Sequence, residues 1–183
     1  MKINIYIVAV LSLTLLSFKT KANPKNVPNG FVYFPETSIV SKNDSVKVGA
    51  FEIMDHVVTN REYKAFIDAT AYPAPEHWKD GNIPFGFEDY PVIFVNRFDI
   101  YAYTEWLSKA ENRVYTLPTS EQFEIAARSG SKGLYYWGDN ESLLTPDNVN
   151  FDVDINRPYT EWQKYLKPAK WGMKNAAGLY GMC

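Results

Sequence analysis

Few residues in this chain have both the type and the spacing to do chemistry. The single cysteine, Cys183, is the last residue of the sequence. The two histidines, His56 and His77, stand apart with no partner spacing. One thiol and two imidazoles cannot assemble an ordinary zinc site within one chain. Nothing in the sequence supplies Cys183 with a base or an electropositive setting, so an ordinary thiol is favoured over a nucleophile. Hard oxygen donors are better represented. Asn150, Asp152 and Asp154 share one irregular segment, whose plain reading is a solvated acidic turn. Glu121, Glu124 and Arg128 repeat at helical spacing, which fits a surface network better than a polar site. Trp137, in Tyr136-Trp137-Gly138-Asp139, could stack on a ligand. A core position beside a tight turn at Gly138 is favoured for it.

Three helices must position these groups, and each carries its own start signal. Thr59 and Glu62 make a T-x-x-E capping box, with Val58 and Tyr63 as a hydrophobic staple around it. Tyr63, Phe66 and Ile67 then share the buried face. A second helix begins near Asn96, with Asp99 favoured in the first turn, and buries Ile100, Tyr103, Trp106 and Leu107. The third begins at Thr119 with Gln122 closing its box; Phe123, Ala126 and Ala127 face inward and Gly130 stops it. Phe31 to Phe34 predicts a strand, and Val46 to Ile53 a second, with a bulge at Gly49. The stretch from Ala71 to Tyr90, and most of the chain beyond Gly130, predicts loops held by packed aromatics or metal ions.

The N-terminus reads as a leader. Lys2 precedes an almost unbroken apolar run from Ile5 to Phe18, and Thr20-Lys21-Ala22 is an acceptable cleavage site. The run is shorter than the roughly 20 residues a membrane-spanning helix needs, so no stable membrane span is expected. Residues 1–22 are therefore expected to be a signal peptide, and residues 23–183 a single exported domain, periplasmic or extracellular. Lys19 and Lys21, placed after the run, leave an uncleaved anchor as the other reading. Loss of Lys2, Lys19 and Lys21 takes the formal net charge from −2 to −5, which offers no electrostatic footprint for nucleic acid. With one cysteine an exported domain has no internal disulfide and depends on its core or on bound ions.

Five blocks follow one another in fixed order. They run through Val58-Thr59-Asn60-Arg61-Glu62-Tyr63; Tyr90-Pro91-Val92-Ile93-Phe94-Val95; Thr116-Leu117-Pro118-Thr119-Ser120-Glu121-Gln122-Phe123 and on to Ala126-Ala127-Arg128; Tyr136-Trp137-Gly138-Asp139; and Asn175-Ala176-Ala177-Gly178-Leu179-Tyr180-Gly181-Met182. This series resembles the formylglycine-generating enzyme, or sulfatase-modifying factor, family over about residues 30 to 183. The resemblance implies an α+β fold of C-type-lectin-like variant type. It also implies oxygen-dependent oxidation of a substrate cysteine to formylglycine, with a sulfatase or another cysteine-containing peptide as partner. Family members bind calcium just after the fourth block, where Asn150, Phe151, Asp152 and Asp154 stand here.

The family's copper(I) is held by two cysteines in a C-terminal part that follows a GNVWEW block. The sequence stops at Cys183, directly before that block, so the domain is expected to be truncated at the C-terminus, without copper ligands and inactive alone. Cys183 matches neither active cysteine. Arg97 stands where the family has Trp, Asn96 where it has Ser, and Gly181 replaces the Asp of its GLYDM. A non-catalytic binding or structural module on the same scaffold is the main alternative. A family branch that makes carbon–sulfur bonds with non-haem iron needs three histidines and is not matched by two.

Overall fold

The computed structural model describes residues 17–18, 24, 27–41, 44–145, 148, 163–164 and 166–182. In chain order these form β1 (Ser17–Phe18), β2 (Phe31–Phe34), β3 (Thr37–Ser41), β4 (Asp44–Val48), β5 (Phe51–Met54), α1 (Asn60–Thr70), α2 (Arg97–Ala110), β6 (Tyr115–Thr116) and α3 (Ser120–Arg128). Two 3-10 turns, Lys79–Gly81 and Glu141–Leu143, lie in the loops. The mixture of three helices and small antiparallel sheets is the expected α+β class.

The three helix starts are where local chemistry puts them. Thr59, Asn96 and Thr119 are the N-caps, and each makes a complete capping box with the side chain three residues on. Both orphan amides at each end are thereby satisfied reciprocally. Val58 and Tyr63 are buried on either side of the first box, as a staple requires. At the other end of α3 the left-handed cap is Ser129, with φ 45°, one residue before Gly130.

Strand membership departs from the sequence pattern. The expected single strand from Val46 to Ile53 is split at Gly49-Ala50, and its halves join different sheets. β4 pairs with β3, from Thr37↔Val48 to Ser41↔Asp44. β5 turns into a four-stranded sheet of order β2-β5-β1-β6. Gly49 is therefore a joint between sheets and not a bulge within one strand. All four residues of β5 are buried, including the charged Glu52.

The core is aromatic. Tyr63 and Phe66 of α1 meet Tyr103 of α2, at 5.5 Å for the stacked Tyr pair and 5.7 Å for the edge-on Phe66 contact. Trp106 closes on Phe66 at 5.6 Å, and Trp78 from the long loop meets Tyr63 edge-on at 6.3 Å. Offset and edge-to-face pairs of this kind add about 0.5–1.5 kcal/mol each beyond the area they bury. The loop bearing Trp78 is tied back at Asn60, whose side chain donates to the Phe87 carbonyl at 2.8 Å and whose amide donates to Tyr90.

Candidate functional site

The one dense cluster of titratable groups among the described residues lies where β5 ends and α1 begins. Met54-Asp55-His56 leaves the sheet, and six residues after His56, Glu62 sits in the first turn of α1. The His56 ring, only 7% exposed, is held at both nitrogens. Nδ1 meets the Asp55 carboxylate, and Nε2 lies 3.2 Å from Glu62 Oε1. The other oxygen of Glu62 accepts from the Thr59 amide and hydroxyl, each at 2.7 Å. Glu62 therefore serves the helix cap and the histidine together. Lys170, from the C-terminal loop, reaches Asp55 at 3.2 Å, and the Tyr180 amide donates to the Asp55 carbonyl at 2.9 Å.

Burial works against a charged His56, but the hydrogen bonds and negative charges of Glu62 and Asp55 outweigh it, and its pKa is raised above 6.5; Lys170 opposes the rise. Burial likewise opposes ionisation of Glu62, and His56 together with the Thr59 donors more than compensates, so its pKa is lowered. Two carboxylates flanking one ring favour the imidazolium. Such a ring is a fixed tie between segments and has no free nitrogen with which to act as a base.

A cavity of about 250 Å³ opens beside this cluster, lined by His56, Glu62, Tyr103, Trp106, Glu111 and Tyr115 with apolar residues between them. Tyr115 donates its hydroxyl to Glu111. Burial first, and then the Glu111 carboxylate, push the Tyr115 phenol upward, so it stays protonated. Chemically the cavity offers aromatic faces, carboxylate oxygens and the buried His56 ring. It suits holding a small polar group; it presents no thiol.

The residues singled out from sequence are distributed as follows. The calcium candidates Asn150, Phe151, Asp152 and Asp154, and the thiol of Cys183, lie outside the described residues. The Asn148 side chain donates to the Leu143 carbonyl at 3.1 Å, and its carbonyl accepts from Met173 at 3.2 Å. Glu124 pairs with Arg128 on the surface at 3.0 Å, as a helix-supporting pair should. Trp137 is a correction. It is half-buried, stacks on Tyr135 at 4.8 Å and donates to the Asn140 carbonyl. Its neighbour Tyr136 packs against the core instead and donates to the Met173 carbonyl at 2.9 Å. Gly138 does take the left-handed turn, with φ 104°. His77 packs on Phe94 at 4.8 Å, and burial lowers its pKa to about 4.

Two functional arrangements were missed from sequence. One is the Asp55-His56-Glu62 tie, whose only signal is the D-H pair shortly before a capping box. The other is Asn175. It is buried, donates to the Ala126 and Ala127 carbonyls at 2.7 and 3.0 Å, and accepts from the Ala177 and Leu179 amides at 3.1 and 3.0 Å. One side chain thus closes the C-terminal end of α3 and folds the final loop onto it.

A mixed α+β domain, with boxed helices, an aromatic core and a terminal loop clamped to α3, is the class of protein these elements define. The family model for the sulfatase-modifying factor enzyme 1-like domain matches residues 19–183, and the chain belongs to that family. No curated protein matches the chain.

Proposed function

We propose that the chain is an exported, periplasmic or extracellular member of this family on a lectin-like variant of the α+β scaffold, and that it does not perform the family oxidation by itself. The reaction in question is conversion of a substrate cysteine, in a sulfatase or similar polypeptide, to formylglycine. The observation that carries the proposal is the thiol count. Copper(I) chemistry of this kind needs a pair of soft thiolates, and these 183 residues contain one cysteine. The residues present do not fit copper. The direct test incubates the chain with copper(I), oxygen and a cysteine peptide of sulfatase type and follows the peptide mass. No formylglycine above a copper-only blank is expected; chain-dependent turnover would overturn the proposal.

The cavity beside His56 favours a second reading, a non-catalytic binding module. Aromatic walls with two carboxylates are equipped to hold a ligand and carry no redox group. In either case calcium is the ion for the loop of Asn150, Phe151, Asp152 and Asp154, through carboxylate, amide and carbonyl oxygens. A calcium-dependent rise in Tm that Asp152→Ala abolishes is the expected sign; an unchanged Tm would remove calcium from the account. Fractionation of cells expressing the tagged chain tests export.

A further inference from the structure

One of the two shortest strands among the described residues has the most consequential position. β1, only two residues, lies between β5 and β6 and is antiparallel to both. Ser17 stands opposite Ile53 on one side and Thr116 on the other, and Phe18 opposite Glu52 and Tyr115. Among the described strands, β6 has β1 as its one neighbour. Yet Ser17 and Phe18 belong to the segment whose composition is that of a leader, ahead of the Ala22 cleavage site.

The two walls of this gap are held without β1. β5 is paired along its full length with β2, from Phe31↔Met54 to Phe34↔Phe51. β6 is fixed from α2, where the Tyr115 amide donates to Ser108 Oγ at 2.9 Å and Ser108 in turn donates to the Thr104 carbonyl at 2.6 Å. Above the gap Arg113, two residues before β6, reaches Glu52 of β5 at 3.4 Å. On β2 and β6 the Phe31 and Tyr115 rings meet at 5.7 Å. Strands separated by one intervening strand lie about 9–10 Å apart, and the Arg113–Glu52 pair reaches from the approach to β6 across to β5. Glu52 is 1% exposed, and its Oε1 has no hydrogen-bond partner. A buried strand with one vacated side leaves main-chain donors and acceptors unpaired, which is costly in a dry setting.

We propose that the gap between β5 and β6 is a preformed strand-acceptor slot, and that its occupant is the chain's own leader segment around Ser17–Phe18, gripped by main-chain pairing on both sides. The leader then has two incompatible places, the export machinery and the sheet. While it is engaged in export the slot between β5 and β6 stands without its strand. Once the chain is released, the segment docks, and a cut at Ala22 leaves it bound as a separate peptide. The mode is β-strand addition, here in the middle of a sheet instead of at its edge.

The test uses the full chain with a specific protease site replacing the sequence between Ala22 and Pro24, cut after folding. The expected result is that the leader peptide co-elutes with the domain in native size exclusion and separates in denaturant. Hydrogen exchange supplies the second readout. In the uncut chain Ser17→Pro, which cannot pair, should speed exchange at Glu52, Ile53 and Thr116 by about tenfold or more, while Ser17→Ala leaves it unchanged. A synthetic peptide covering residues 14–21, added in trans to the proline variant, should restore protection. Loss of the leader on cutting, with exchange at β5 and β6 unaltered by Ser17→Pro, would overturn the proposal. The proposal rests on the export reading above, and its readouts, co-elution and exchange, test the docking separately from export and from any oxidase activity.

Discussion

The helical half and the C-terminal loops of this molecule are held together by different physics. Between Thr59 and Ala110 two helices flank a long loop, and cohesion is spread over many rings: Tyr63, Phe66, Trp78, Tyr103 and Trp106 touch one another in series. From Gly130 onward regular structure nearly vanishes among the described residues, and cohesion is concentrated in single polar side chains. Asn175 alone makes four hydrogen bonds to two segments. A distributed apolar core fails only when a large side chain goes, and then as a whole. A region pinned at points fails at the point removed, locally and first.

The largest expected effect follows from the core. Phe66→Ala should cost about 3–5 kcal/mol, read as a lowered midpoint in urea with every probe shifting together. Asn175→Ala comes next, at about 2–3 kcal/mol, because the Ala126 and Ala127 carbonyls and two amides are left without their partner. Its signature should be early hydrogen exchange over residues 173–182 while α1 and α2 stay protected. Simultaneous loss of both halves would break the contrast. Thr59→Ala removes a cap and should cost about 1 kcal/mol, with Thr59→Ser close to wild type by thermal melt. At the small end, Glu124→Gln on the surface of α3 should change stability by about 0.3 kcal/mol.

The two histidines sharpen the comparison by pH. Because the folded pKa of His56 is raised, its contribution is complete below 6.5 and is lost as pH rises through the folded value. Glu62 is lowered, so its contribution is present above 4.5 and is lost as pH falls through its folded value. Stability should therefore be broadest between these limits, with Asp55 and Lys170 as the other charges facing the ring. His56→Gln should flatten the alkaline limb. His77, lowered to about 4 by burial, should titrate in NMR well below His56, whose pKa is raised above 6.5. Matching titrations of the two rings would contradict the assigned environments.

The helices were legible because their signals are local. Three capping boxes sit within four residues each, and no distant contact is needed to form them. The strands were not, because sheet membership is a property of partners. Nothing near Gly49 says that Val48 will face Thr37 while Phe51 faces Phe34. β1 was hidden for another reason: an apolar run at the N-terminus has the composition of a leader whether or not two of its residues also fit a sheet. At the cluster beside His56, adjacency to Asp55 was visible but Glu62 was already accounted for as a cap, and its second oxygen's partner was not foreseeable. Trp137 shows the same limit, since it was expected in the core and the adjacent Tyr136 packs there instead.

The central claim is that this family scaffold, in these 183 residues, holds no copper(I) dithiolate. A copper(I) titration of the reduced full chain against a colorimetric chelator of known affinity tests it most directly. The expected result is that the chelator keeps the metal and the chain competes no better than its Cys183→Ser variant. Withdrawal of one equivalent of copper(I) by the chain would contradict the claim.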